Sequence, residues 1–370
     1  MRILYGVVGE GMGHAMRSRV VLDELCKRHQ VEVVVSGRAY DYLAARSSPN
    51  LTVRKIWGYT LVYEDNEVRR WKTVVQNLKG ALTGLAGNVT TYFELAESFA
   101  PDVVISDFES WSYLYARWRG LPFVSIDNMQ IINRCRHSPE IIAGFEGDFR
   151  LTKAIVKAKV TGANHYFITT FFYPPVRKPR TTLHPPILRP EILTALAASP
   201  EPGEHLLVYQ TSTSNPRLPE ILARSARECR IYGLRRDLTG EVVEGNLRYR
   251  PFSEAGFVED LRTAAGVVAG GGFTLMGEAV ALHRPMLSVP VQQQFEQALN
   301  ARYLQAEGYG LAADEITDDL LGHFLERLPD FAAHLARYRQ DGNHDLLAAL
   351  EAGLAEAVDE GARDELDHRG

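Results

Sequence analysis

Residues 267–278 read VVAGGGFTLMGE, an apolar run followed by three glycines and an amphipathic stretch. The apolar run predicts a buried strand, and residues 274–282 predict a helix. Bare backbone N–H groups in the glycine loop, together with the helix dipole, make an anion site. A tight turn without a ligand is the alternative. The residues that we assign to a phosphate-bearing ligand here are Gly271, Gly272, Phe273 and Thr274, with Glu278 placed to accept from ribose hydroxyls.

Strands and helices alternate on both sides of this loop. Short β-branched runs and amphipathic stretches alternate over residues 2–126 and again over 206–307. Such alternation predicts parallel sheets covered by helices on both faces. Eight prolines between residues 174 and 202 resist regular structure and predict a connector. The predicted organisation is an α/β chain of two doubly wound Rossmann-like domains facing a central cleft: residues 1–180, a proline-rich linker 181–203, residues 204–345, and a C-terminal helix with a frayed acidic tail, 346–370.

Composition excludes several protein classes. The 370 residues carry 41 basic against 46 acidic side chains, a net charge of −5, which argues against a general nucleic-acid binder. Three cysteines, Cys26, Cys135 and Cys229, lie far apart, which argues against a disulfide framework or a cysteine-rich zinc site. We see neither a membrane-spanning apolar run nor a signal peptide. These features predict a cytoplasmic protein.

A second glycine loop, GEGMGH over residues 9–14, follows the first predicted strand. It lacks the dinucleotide fingerprint because His14 stands where the third glycine belongs, and no acidic residue ends the second strand. An NADP site using Arg38 is the alternative. A histidine at the start of a helix can serve as a general base when a carboxylate fixes its tautomer. Packing within the loop is the other interpretation of His14.

Asp107 ends the strand at residues 103–106, at the sheet edge where His14 should emerge. A carboxylate there can orient the imidazole and stabilise its protonated form. The alternative is that Asp107 caps the helix predicted over Ser110–Arg119. No serine or cysteine nucleophile elbow accompanies the pair, so the chemistry predicted is activation of a substrate hydroxyl or of water. We take the nearby Glu109 to point away from Asp107 and expect no metal site.

Two further polar groups follow predicted strands. Glu296 and Gln297 open a helix after the strand at residues 285–289, where acid and amide side chains suit sugar hydroxyls. Thr211 and Ser212 follow the strand at residues 206–210 in a hydroxyl-rich loop suited to phosphate. Both groups should lie at the carboxyl edge of the second sheet, where ligands of open α/β sheets bind.

Together these motifs resemble those of the two-domain, GT-B nucleotide-sugar glycosyltransferases of families 1 and 28, which include plant-type UDP-sugar transferases and the lipid II N-acetylglucosaminyltransferase. The matching segments are Gly11–His14, Asp107–Trp111, Gly272–Glu278 and Glu296–Ala301. Arg250–Phe252 is similar to the segment in which the family reads the nucleobase. The chain departs from the family pattern where Gly270 replaces a pyrophosphate-binding histidine and Glu296 replaces an aspartate.

The resemblance implies an inverting, metal-independent hexosyltransferase without a cofactor. The second domain would bind a nucleotide diphosphate sugar, in the first instance a UDP-sugar. His14 would take the proton of the acceptor hydroxyl while Asp107 holds the imidazole. The residues that the resemblance places on the donor or acceptor side, besides those already named, are Phe252 on the donor side and Gly11, Gly13, Arg17 and Trp111 on the acceptor side.

Two other functions stay open at this point. Residues 13–18 also resemble the G-H-x-x-R segment of nucleotide-sugar hydrolases, in which the histidine activates water. A nucleotide-sugar-binding protein without catalysis is the third possibility. The presence of both His14 and Asp107 favours an enzyme.

The acceptor is predicted to be a small molecule or a lipid-linked molecule. An apolar helical stripe runs from Val68 to Leu85 and is flanked by basic residues. A core-facing helix is one interpretation, and a basic amphipathic surface touching the inner face of a membrane is the other. Arg134, Arg136 and His137 add positive charge on the acceptor side.

Overall fold

A computed structural model describes residues 1–9, 11–58, 63–64, 67–68, 87–198, 202–210, 217–235, 237–292 and 294–367. Two seven-stranded sheets organise the chain, with strand orders β3-β2-β1-β6-β7-β8-β9 and β12-β13-β11-β10-β14-β15-β16. All pairs within them are parallel except β12 with β13. The predicted pair of doubly wound α/β domains is therefore confirmed.

The strands of the first sheet are β1 (Arg2–Val7), β2 (Gln30–Val35), β3 (Leu51–Lys55), β6 (Val103–Asp107), β7 (Phe123–Asp127), β8 (His165–Thr169) and β9 (Thr181–His184). Those of the second are β10 (Leu206–Tyr209), β11 (Cys229–Tyr232), β12 (Val242–Glu244), β13 (Leu247–Tyr249), β14 (Gly266–Ala269), β15 (Met286–Ser288) and β16 (Gly310–Ala312). A small hairpin pairs β4 (Tyr63–Glu64) with β5 (Glu67–Val68).

The helices are α1 (Met12–Leu25), α2 (Ala39–Ala44), α3 (Ser110–Arg119), α4 (Ile131–Arg134), α5 (Pro139–Ile142), α6 (Glu146–Lys159) and α7 (Pro190–Ala197) in the first part of the chain. They continue with α8 (Leu218–Arg224), α9 (Glu254–Arg262), α10 (Phe273–Ala281), α11 (Phe295–Ala306), α12 (Asp318–Glu326), α13 (Leu328–Leu335) and α14 (His344–Asp367). A π-helical turn spans Leu95–Phe99.

The central strands are largely apolar because helices cover both faces of each sheet. In β1, five consecutive residues from Ile3 to Val7 are buried. The strand order reverses beside β1 in the first sheet and beside β10 in the second. Crevices at the carboxyl ends of strands open at such reversals. The fold therefore brings the loops after β1 and β6, and after β10 and β14, to two facing edges.

The proline-rich segment contains regular structure, so the prediction of an irregular linker over residues 181–203 is wrong there. β9 pairs in parallel with β8 as the edge strand of the first sheet, and α7 begins at Pro190. The prolines stand where the backbone tolerates them. Pro185 and Pro186 follow the end of β9, and Pro190 occupies the first turn of its helix, where no intrahelical N–H bond is lost.

The C-terminal helix packs against the first sheet and extends to Asp367, so the prediction of a frayed acidic tail within residues 346–370 is wrong as far as Asp367. The inner face of α14 is buried with side chains of the first domain, Phe167 included. Polar contacts fasten it: His29 Nε2 lies 2.8 Å from a Glu351 oxygen, and Asn164 donates to Glu360 at 2.9 Å. Within the part of the chain that the structure describes, no helix has the length and apolarity needed to cross a bilayer.

We predict that this docking stabilises the first domain. Leu350 is a fully buried residue on the inner face of α14, so Leu350→Ala should lower the free energy of unfolding by about 2–5 kcal/mol, the usual cost of a cavity left by a truncated leucine. Urea denaturation measures the change. Asp359→Ala, on the exposed side of the same helix, is the control and should stay within about 0.5 kcal/mol of the parent. Equal stabilities of the two variants would contradict the packing role.

Candidate active site

His14 and Asp107 form a hydrogen-bonded pair at the cleft. His14 lies in the first turn of α1 and Asp107 ends β6; β1 and β6 are neighbours in register, with Val7 opposite Asp107. His14 Nδ1 is 2.8 Å from Asp107 Oδ1. The imidazole is 19% exposed and the carboxylate 1% exposed, so one ring edge faces the cleft while the partner stays inside.

Asp107 is held by four donor atoms. Besides His14, Ser18 Oγ donates to Oδ2 at 3.0 Å, and Arg17 donates through Nη2 to Oδ1 at 2.9 Å and through Nε to Oδ2 at 3.4 Å. Burial raises the pKa of a carboxyl, but the charges of Arg17 and His14 outweigh it and hold the pKa of Asp107 far below its usual range. The carboxylate is therefore ionised at any ordinary pH.

The pairing fixes the tautomer of His14. An ionised carboxylate only accepts hydrogen bonds, so Nδ1 carries the proton and Nε2 keeps its lone pair. Arg17 Nη2 also lies 2.6 Å from Nδ1, directed at the same Asp107 oxygen. Burial first, and then the charge of Arg17, lower the pKa of His14 despite Asp107. The ring is consequently neutral near pH 7, as a general base must be.

The turn after Asp107 is strained and capped. Phe108 has φ of 54°, in the left-handed region that L side chains rarely adopt. Glu109 caps α3 by accepting from the backbone N–H of Trp111 at 2.7 Å and of Ser112 at 2.6 Å. The alternative of Asp107 as the helix cap is therefore wrong. Trp111 stands in the first turn of α3 and stacks on Tyr115.

The two glycine loops face each other across the cleft. Gly11 precedes α1 with φ of 78°, a conformation that favours glycine. A Cβ added at Gly13 would lie 2.6 Å from Thr274 Oγ1 of the second domain. The structure thus brings Gly13 and His14 beside the start of α10, as the sequence predicts. Thr211 and Ser212 lie outside the described residues.

A hydrogen-bonded chain crosses the cleft from the His14–Asp107 pair to the second glycine loop. Arg17 Nη1 donates to Asn128 Oδ1 at 2.9 Å, and Asn128 Nδ2 donates to Glu296 Oε1 at 2.8 Å. Asn300 donates to the same oxygen at 2.9 Å and to the Gly271 carbonyl at 3.3 Å. Burial raises the pKa of Glu296 against these partners. Arg17, expected to face the acceptor, is instead 5% exposed within this chain.

Sequence reasoning missed Ser18 and Asn128. The position of Asn128 held a usable signal, since it directly follows β7, whose carboxyl end lies at the same edge as that of β6. Asp127 beside it accepts from Ser125 Oγ and the Gln130 N–H, and burial raises its pKa to about 6. Glu296 was expected to meet sugar hydroxyls, and in the structure its Oε1 already accepts from two asparagines.

Gly271 has a different role from the one predicted for its N–H group. That N–H donates to Gln297 Oε1 at 3.2 Å, and the Val291 N–H donates to the same oxygen at 3.0 Å. A Cβ at Gly271 would lie 2.5 Å from the Gln297 carbonyl oxygen, so glycine is needed for contact with α11. A Cβ at Gly272, the residue before α10, would meet nothing within 4 Å. The open part of the loop is therefore Gly272 and the N-terminus of α10.

Glu278 also differs from expectation. Its carboxylate is 2% exposed and accepts from Arg189 Nε at 2.7 Å and Nη2 at 2.9 Å. This bidentate ion pair joins α10 to the residue before α7, and both carboxylate oxygens are used within the protein. Phe273 is buried against Phe171, whereas Phe252 is 65% exposed. Phe252 is thus the aromatic ring among these donor-side residues that is open to a ligand.

Two of the three basic residues expected on the acceptor side are engaged internally. Arg134 donates to Thr181 and stacks 3.6 Å over the ring of Tyr166, and His137 Nδ1 lies 2.8 Å from the Tyr303 hydroxyl. Arg136 is exposed. The apolar stripe from Val68 to Leu85 falls almost wholly outside the described residues. Among the described residues, no group of three or more His, Cys, Asp or Glu is arranged to hold a metal ion.

The family model described as glycosyl transferase family 1 matches residues 1–329. The chain belongs to this family. This glycosyltransferase is 23% identical over 340 residues to an uncharacterized glycosyltransferase of Methanosarcina mazei, covering 84% of this chain and 85% of that protein. Its fold is similar to spinosyn forosaminyltransferase SpnP (TM-score 0.60, 18% identity, 96% of this chain and 99% of that one). It is also similar to Arabidopsis thaliana UGT89C1 complexed with UDP (TM-score 0.61, 13% identity, 97% and 99%). The GT-B resemblance is confirmed.

The two adjacent glycines of the second loop provide a matched test. Gly271→Ala forces a Cβ against the Gln297 backbone and should destabilise the glycosyltransferase by about 1–3 kcal/mol. Gly272→Ala enters open space and should leave stability close to that of the parent. Chemical denaturation of both variants measures the difference. Equal stability of the two alanine variants would contradict the close contact between this loop and α11.

Proposed function

We propose that this glycosyltransferase moves a hexosyl group from a nucleotide diphosphate sugar, a UDP-sugar in the first instance, to an acceptor hydroxyl with inversion. The observation that carries the proposal is the His14–Asp107 pair, 2.8 Å apart, at a cleft whose other side is the start of α10. The complex of UDP with UGT89C1, a structural neighbour, supports the choice of nucleotide.

His14 acts as the general base. Nε2 accepts the proton of the acceptor hydroxyl, and the oxygen forms a bond to the anomeric carbon on the face opposite the leaving group. The bond from that carbon to the diphosphate oxygen breaks, and its electron pair leaves with the nucleotide diphosphate. Asp107 stabilises the imidazolium through Nδ1, and Arg17 keeps the ring neutral before the reaction.

The donor diphosphate is bound by the open end of the second glycine loop. The groups available there are the backbone at Gly272, the Thr274 hydroxyl and the first N–H groups of α10. We propose that this helix N-terminus, which attracts anions, stabilises the leaving diphosphate and takes the place of a metal ion. Phe252 is exposed, which supports the proposal that its ring stacks on the nucleobase, as its position in the family segment implies. The acceptor is a small-molecule or lipid-linked hydroxyl.

Replacing the base should abolish transfer while binding persists. His14→Ala should lower the rate by on the order of 10²–10⁴-fold, the usual contribution of a general base. UDP should still raise the melting temperature, because the nucleotide contacts lie on the second domain. His323→Ala, an exposed histidine of α12, is the matched control and should keep full activity. Turnover of His14→Ala at the parent rate would rule out this role.

Incubation with UDP-, TDP- and GDP-sugars in the absence of an acceptor separates transfer from hydrolysis. A transferase should bind one of them and release sugar only slowly. Rapid, His14-dependent release of free sugar would assign the same base to activation of water. Absence of binding to all three nucleotide sugars would contradict the donor class. The anomeric configuration of the transfer product, read by NMR, tests inversion.

The pH dependence of kcat/KM should be sensitive to the charge of Arg17. The neutral imidazole is the active form, and its pKa is lowered. As the pH falls, kcat/KM should therefore stay high past the ordinary pKa of histidine and decrease only at more acidic pH. Arg17→Met removes a positive charge beside Nδ1, so the pKa of His14 should rise and the acid limb should move to higher pH. Arg17→Lys keeps the charge and should shift the limb less. An unmoved limb in Arg17→Met would contradict the electrostatic role.

A further inference from the structure

The outer face of α6 is apolar although it faces solvent. Among the helix residues, Val156 is the one that is fully buried. Leu151 and Ile155 are 47% and 53% exposed, and Ala154 and Ala158 beside them are exposed as well. Spacings of three and four residues place these four side chains on one face of the helix. Single exposed leucines are common, but a continuous exposed stripe marks an interaction surface.

Basic side chains outnumber acidic ones around this stripe, and the two carboxylates of α6, Glu146 and Asp148, lie in its first turn. Arg150, Lys153 and Lys157 belong to α6, and Arg177 and Lys178 come from the segment before β9. Within the described parts of the chain, none of these five forms an ion pair with a carboxylate, although Lys178 Nζ donates to Asn133 at 2.6 Å. Burial and the charge of Arg177 both lower the pKa of Lys153, which shows like charges held close together. The chain as a whole has a net charge of −5, so this positive surface is local.

Contacts at both ends of α6 join the helix to elements of the candidate active site. Near the start of the helix, the ring of Phe149 lies 5.6 Å from that of Phe295, the residue before Glu296. At its end, Lys159 Nζ lies 4.1 Å from the ring centre of Phe108, the residue after Asp107. The helix is therefore packed beside the elements that carry Asp107 and Glu296, and the apolar stripe lies on its exposed face.

We propose that this surface, consisting of Leu151, Ala154, Ile155 and Ala158 with the five basic residues around them, docks the enzyme on an anionic lipid bilayer. An apolar helix face edged by Lys and Arg inserts into the boundary between headgroups and acyl chains. Each basic side chain near an anionic leaflet adds attraction. A second copy of the chain fits the surface less well, because a two-fold contact would bring identical positive clusters together. The proposal does not depend on the sugar donor, and binding is measured without turnover.

Vesicle flotation tests the proposal with two kinds of variant. The probes are vesicles of phosphatidylcholine alone and of phosphatidylcholine with phosphatidylglycerol. The parent protein should float with the anionic vesicles, and rising salt should weaken binding. Arg150→Gln with Lys157→Gln should lower the partition coefficient on the order of 10–30-fold, since two charges are lost. The double substitution Leu151→Gln, Ile155→Gln leaves the charge unchanged and should also lower the partition coefficient.

The matched control is Val243→Gln with Arg337→Gln, exposed residues of the second domain, which should bind vesicles as the parent does. Circular dichroism and melting temperature verify that all variants are folded. Failure of the parent to bind anionic vesicles, or equal binding by the α6 variants, would overturn the proposal. A concentration-dependent dimer that the Leu151→Gln, Ile155→Gln variant loses would assign the surface to a second copy of the chain instead.

Discussion

The buried ionised carboxylate of Asp107 is the constraint on which the site depends. A charge that is 1% exposed costs several kcal/mol unless donors surround it, and here Arg17, Ser18 and His14 supply them. All three residues lie on α1, with His14 about one helical turn before Arg17 and Ser18, so α1 must dock with that face over the end of β6. The need to satisfy a single carboxylate thus fixes the position of the helix and the orientation of the imidazole together. Phe108, with its left-handed backbone, belongs to the same turn.

The pattern of the sequence was sufficient for the sheets but not for the ends of the domains. Apolar runs such as Gly266–Ala269 are strands in both the prediction and the structure, because a strand buried on both faces requires such a run. The proline-rich segment and the tail misled the prediction for one reason. Prolines indicate only what the local backbone can adopt, and acidic residues indicate only that one face is exposed. β9 and α14 are held instead by residues distant in sequence, as the Asn164–Glu360 contact shows.

The candidate site shows the same difference between what local sequence predicts and what distant residues decide. His14 and Asp107 are predictable because Asp107 ends a strand and His14 follows one, and parallel strands end at one edge. Side-chain partners within the protein are harder to foresee. Glu278 suits a ribose by its type and place, yet its oxygens meet Arg189, a residue whose approach depends on how the chain returns between the domains. Gly271 fits a phosphate loop by composition, but its N–H group meets Gln297 and its missing Cβ makes room for α11. The type of a residue indicates which hydrogen bonds it can form, but not which group of the folded protein it will contact.

The chain from Asp107 through Arg17 and Asn128 to Glu296 links the His14–Asp107 pair to α11 of the second domain by direct contacts. Glu296 Oε1 accepts from an asparagine of each domain, so it holds the two sides of the cleft at one separation. A sugar hydroxyl that donates to this carboxylate would compete with Asn128 for the oxygen. Asn128 would then be free to adjust its contact with Arg17, whose charge helps to set the pKa of His14. In the proposed reaction, donor binding and the basicity of the imidazole would therefore be connected through neighbouring side chains, without requiring a large movement of either domain.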